Sequence, residues 1–136
     1  MKISKLIPIS RNLYENFYDE SFYLEFICPN SFEKKEINIL KDFGYLDDLV
    51  TENILQKDDI IKNGIALSTN KHNNYLGLFS IYNNLSAKYK FITCEQKFYI
   101  IVFDYGEVQT GRNILYISGI WEVELSEQFK KRLNLL

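Results

Sequence analysis

Five runs rich in Ile, Phe, Tyr and Val follow Gly64, separated by polar links: IALST, YLGLFSIYN, AKYKFIT, KFYIIVFDY and NILYISGIWEVEL. Residues of this kind at this density read as strands. Short links make consecutive strands antiparallel neighbours, because a parallel return needs a crossover of roughly a dozen residues or more. Between Phe91 and Phe98 the link TCEQK is of tight-hairpin length, and residues 83–86, NNLS, form a second turn. Residues 69–74 and 106–112 read as longer exposed loops, where contacts to other molecules concentrate.

Ahead of these strands, residues 45–63 place Leu46, Leu49, Val50, Ile54 and Ile61 at helical spacing, which lays one apolar stripe along a helix. Asp47 and Asp48 suit the positive end of its dipole, Lys62 the other end, and Gly64 a C-terminal cap. Asp58 and Asp59 could open a second short helix, with a break near Lys57. Earlier still, SFYLEFIC over 21–28 reads as a strand and Pro29-Asn30-Ser31 as a turn. KKEINIL then puts Ile37 and Ile39 on one side of a strand, in a hairpin with 21–28, or forms a short helix over 32–42. Ser126 is a suitable N-cap for a closing helix with Phe129, Leu133 and Leu136 on one stripe. The expected fold is α+β: an antiparallel sheet of about five strands, one main helix before it and a short C-terminal helix, in a single domain over residues 1–136.

Charge narrows the function classes. A net charge of −2 excludes the uniformly basic face on which sequence-independent nucleic-acid binding depends. The charge is uneven, however. Residues 42–59 hold Asp42, Asp47, Asp48, Glu52, Asp58 and Asp59 against Lys57 alone. Residues 60–103 hold Lys62, Lys71, Lys88, Lys90 and Lys97 against Glu95. Such regions steer partners of complementary charge, or are simply solvated faces. Lys88 to Phe91 and Lys97 to Tyr99 interleave basic and aromatic residues, the composition of a sheet that stacks single-stranded bases. Nucleic-acid binding is therefore the second reading. Half-buried rings with solvated lysines are the structural alternative. Trp121 reads as core, with an interface anchor as its alternative.

Groups for catalysis are few. His72 is the only histidine and lies in the polar stretch NKHNN, with neither a GxSxG elbow nor a cysteine-protease context. One His and two scattered Cys cannot make the usual zinc sets, and no EF-hand loop or phosphate-cradling glycine motif occurs. Glu95, Asp104, Glu107, Glu122 and Glu124 could supply a carboxylate pair, as any sheet with five acids could. No enzyme activity, cofactor or metal is expected. Cys28 and Cys94 read as buried, reduced residues of a cytoplasmic protein, with a single bridge as the alternative. MKISKLIPIS is broken by Ser4, Lys5 and Pro8 before it can form the apolar run of a signal peptide. The run Phe98–Phe103 is far short of the ~18 apolar residues that span a bilayer, so no membrane association is expected.

The order of elements resembles the small immunity proteins of bacterial contact-dependent growth inhibition and related polymorphic toxin systems. The resemblance covers roughly residues 45–136: the helix YLDDLVTENILQKDDIIKNG, the small-residue strand IALST, an antiparallel sheet, and ISGIW before a final helix. It implies a cytosolic protein that binds one cognate toxin domain and covers its active site. No binding residue carries over by motif. Nuclease toxins have basic clefts, so the acidic stretch is the candidate partner-binding face: Asp47, Asp48, Glu52, Asp58 and Asp59, with Asp104, Tyr105 and Glu107 as a second group.

Overall fold

Two tight turns shape the centre of the protein. Glu95 and Gln96 both adopt positive φ, at 52° and 67°, which matches the backbone twist of a two-residue hairpin. They join β6 (Lys88–Cys94) to β7 (Lys97–Gln109), and Thr110-Gly111 joins β7 to β8 (Arg112–Glu124). The structure is a computed structural model, describing residues 1–19, 21–63 and 87–133. The other elements are β1 (Lys2–Ile7), β2 (Leu13–Phe17), β3 (Tyr23–Ile27), β4 (Lys34–Asn38), β5 (Gly44–Tyr45), α1 (Leu46–Thr51), α2 (Lys57–Lys62) and α3 (Glu127–Arg132).

The fold is α+β and its strand pairings are antiparallel. A six-stranded sheet runs β1-β8-β7-β6-β5, and β2 also pairs with β8. The long strand β8 thus has β7 along one side and two strands end to end along the other: β2 against Arg112–Tyr116 and β1 against Ile120–Glu124. The junction falls at a bulge, because Val102 faces Gly119 while Phe103 faces Ile117, leaving Ser118 as the extra residue. β3 and β4 form a separate hairpin.

Alternation along β7 feeds two cores. Tyr99, Ile101 and Phe103 pack on one face with Leu24 and Phe26 of β3, Ile39, Leu115 and Ile117. Phe98, Ile100 and Val102 pack on the other with Leu46 and Leu49 of α1, Leu55, Trp121 and Phe129 of α3. The large sheet is therefore the middle layer, between the β3–β4 hairpin and the helices. Cys28, just after β3, is disulfide-bonded to Cys94 at the end of β6, with Cα atoms 6.1 Å apart. The cysteines are bridged, not the reduced thiols expected from their spacing. The bond ties the hairpin layer to the sheet.

Several expectations hold: the hairpin of 21–28 with the following strand, the β6–β7 hairpin, the closing helix, and Trp121 as core. Ser126 caps α3 by accepting the Phe129 N–H at 3.2 Å. Others are corrected. The single helix over 45–63 gives way to its alternative, two six-residue helices with the second opening at Lys57, because Asn53 takes φ 60° and ends α1. The Asn53 N–H bonds to the Val50 carbonyl and the Ile54 N–H to Leu49, the Schellman termination that a left-handed residue makes possible. Residues 106–112 are not an exposed loop: β7 and β8 continue through them to the two-residue turn. The sheet gains β1, β2 and β5. IALST, YLGLFSIYN, the Gly64 cap, the loop with His72, the NNLS turn and Leu136 lie outside the described residues. Among the described residues no helix is long and apolar enough to cross a membrane.

Candidate functional site

α1 presents acids because its apolar residues are claimed by the core. Leu46 and Leu49 are buried, which turns Asp47 and Asp48 to solvent; Glu52, just after α1, and Asp58 of α2 are exposed as well, while Asp59 is half-buried. Asp47 and Asp48 lie in the first turn of α1, Asp58 and Asp59 in that of α2, where the helix dipole favours negative charge. Glu52 is different. It is paired with Arg132 of α3, Nη2 to Oε2 at 2.5 Å, so α3 neutralises its charge. Among the described residues no ion pair engages Asp47, Asp48 or Asp58. The acids are felt beneath: Tyr89 of β6 has a raised pKa, first through burial and then through the charge of Glu52, with Asp48 contributing and Arg132 opposing.

Asp104 does not belong to this surface. Its side chain is 2% exposed and accepts a hydrogen bond from the Lys88 ammonium at 2.9 Å. β6 and β7 bring the two together at the end of the hairpin, where the Lys88 ammonium also lies 5.5 Å from the Tyr45 ring and 5.2 Å from the Tyr105 ring. The run of buried residues from Phe98 continues through Asp104, and Lys88 compensates it. Tyr105 is half-buried, its ring 5.7 Å from that of Phe43. Glu107 alone of the second group is exposed.

The basic and aromatic residues of the β6–β7 hairpin are largely consumed by the fold. Phe98 and Tyr99 are buried, and Lys88 is paired with Asp104. Lys97 pairs with Glu122 at 3.3 Å, and Lys90 donates to the Lys41 carbonyl. Phe91 sits between the rings of Tyr89 and Phe129, at 5.3 and 5.8 Å. No row of open rings is left along this hairpin to stack bases.

Of the five sheet acids considered as a catalytic pair, Glu122 and Glu124 line one open groove with Lys97 and Lys130. Glu122 is already engaged by Lys97. Among the described residues no group of three or more His, Cys, Asp or Glu side chains is placed to hold a metal ion.

A surface not singled out from the sequence lies on β2. Leu13, Phe17 and the adjacent Tyr18 are 39, 64 and 87% exposed. The signal was present in LYENFY, whose alternation places Leu13, Glu15 and Phe17 on one face of a strand. In comparisons with known proteins, no family model matches the chain, and no curated protein or solved structure matches it.

Proposed function

We propose that this chain is a protein-binding module whose partner presents a basic surface. Within that class it is an immunity protein that binds a toxin domain, with a nuclease as the toxin type, and occludes its active site. The observation that carries this reading is the run of exposed acids Asp47, Asp48 and Asp58 on two short helices, free of intramolecular ion pairs among the described residues. Charges held this way keep their field for an incoming partner and accelerate its capture. Glu52, already held by Arg132, stands at the rim. Asp104 is withdrawn from the contact set because it is buried.

The test is to express the reading frame beside this gene alone and together with this chain. Growth arrest by the first, relieved by the second, is the expected result. An Asp47→Lys/Asp48→Lys/Asp58→Lys variant should fold yet bind the neighbouring product more weakly, with a flatter dependence on salt. A neighbouring product that is harmless, or whose toxicity this chain does not relieve, rejects the reading. Unchanged affinity in the variant rejects the acidic face.

A further inference from the structure

Alternation decides where the backbone of β2 points. The Asn12 carbonyl accepts from the Ile117 N–H and the Tyr18 N–H donates to the Gly111 carbonyl, so even-numbered residues bond to β8. Leu13, Glu15 and Phe17 therefore turn their N–H and C=O groups away from the sheet. Arg11 Nε reaches the Leu13 carbonyl at 2.9 Å. Among the described residues no other partner meets this row.

Natural sheets blunt exposed edges with lysines, bulges or covering segments. β1 has Lys2, Lys5 and an irregularity between Ile3 and Lys5. On the outer side of β6, the Lys35 ammonium closes the Thr93 carbonyl at 2.6 Å. β2 has no lysine. It offers exposed Leu13 and Phe17 on one face, with Glu15 between them.

We propose that β2 is the contact through which two copies of this chain associate, antiparallel about a two-fold axis at Glu15, joining their large sheets edge to edge. The occupant is a second copy because the strand is self-complementary. Rotation about Glu15 sets Leu13 opposite Phe17 of the partner subunit and, by symmetry, Phe17 opposite Leu13 of the partner subunit. Every outward N–H and C=O then meets a counterpart, the Leu13 carbonyl accepting the partner's N–H through its second lone pair beside Arg11, as an isologous contact requires. The two Glu15 carboxylates would repel if bare. Each is instead gripped by its own Arg112, Nε to Oε1 at 2.9 Å and Nη2 to Oε2 at 3.2 Å. The charges across the axis run Arg, Glu, Glu, Arg and cancel. Glu15 thus fixes the register at no net charge, and the apolar residues on either side supply the contact.

Sedimentation of the full chain from low micromolar to near-millimolar concentration tests this. The expected result is a rise in mass to two chains. Leu13→Lys/Phe17→Lys should weaken association at least about tenfold while the melting temperature and circular dichroism stay unchanged. With Cys28 and Cys94 bonded to each other, Glu15→Cys introduces a lone thiol at the axis. A short bismaleimide should link two such chains far more efficiently than two Lys5→Cys chains. A wild-type chain that stays monomeric overturns the proposal, including the case in which β2 takes a strand from another protein. So does a dimer that survives the double lysine variant, or equal cross-linking at positions 15 and 5. Toxin neutralisation is read separately by growth, so a monomer that still rescues leaves that reading intact.

Discussion

Lys88 and Asp104 meet across β6 and β7 at 2.9 Å with both side chains almost wholly withdrawn from water. The ammonium and the Tyr105 N–H both donate to Oδ1, while Oδ2 is buried with no hydrogen-bond partner among the described residues. Removing one member of such a pair strands a charge in an apolar setting, whereas replacing both removes the desolvation penalty as well. Lys88→Met should destabilise the protein by about 3–5 kcal/mol, and Lys88→Met/Asp104→Leu by clearly less. Urea denaturation of the wild type, both single variants and the double variant measures the cycle. A double variant as unstable as the sum of the singles would contradict it.

Burial raises the pKa of Asp104 above its ordinary 3.8, outweighing the Lys88 charge and the hydrogen bonds that favour the ionised form. Folded, this carboxyl holds its proton more readily than unfolded. Its contribution to stability is therefore full below the unfolded value and is lost as pH rises through the folded one. The stability difference between wild type and Asp104→Asn should narrow as pH is raised from about 3.8. Denaturation at a series of pH values checks the sign, and a gap that widens would refute it.

The disulfide between Cys28 and Cys94 closes a loop between positions 66 residues apart. Chain entropy gives such a closure about 4 kcal/mol of stabilisation. Reduction, or Cys28→Ala/Cys94→Ala, should lower unfolding stability by that order. It should loosen the β3–β4 hairpin before the central sheet, seen as earlier amide exchange at Leu24 and Phe26 than at Ile101.

Gly119 lies under the ring of Trp121, where an added Cβ would come within 2.5 Å of the indole. Ring and bulge cannot both hold position if that space is filled. Gly119→Ala should cost about 1–3 kcal/mol and shift the emission of the single tryptophan, which fluorescence reports directly.

The parts of the fold legible in the sequence are those set by local rules. Runs such as KFYIIVFDY declare a strand, and Ser126 declares a helix start. The start of a second helix was legible in Asp58 and Asp59, whereas the point where α1 stops depended on one left-handed residue, Asn53, inside an otherwise continuous apolar stripe. The pairing of Cys28 with Cys94, and of Lys88 with Asp104, depends on which strands lie side by side and in what register. Asp104 read as a surface acid because charge in a chain usually means solvent, and only its neighbour across the hairpin reveals otherwise. The exposure of Asp47 and Asp48 was legible because helix periodicity assigns their side opposite Leu46 and Leu49. The β2 surface was missed because exposure of Leu13 and Phe17 is a property of the sheet edge.

The place of β1 and β2 along β8 has a consequence for how the chain acquires its shape. Ser4 reaches Glu122, 118 positions away, and Glu15 reaches Arg112, 97 away. A growing polypeptide makes these first strands long before their template emerges. Until β8 is available they have nothing to zip onto, so completion of the sheet is a late, non-local event. Slow refolding limited by docking of the first seventeen residues, and sensitivity to holdase chaperones in that interval, follow from this arrangement.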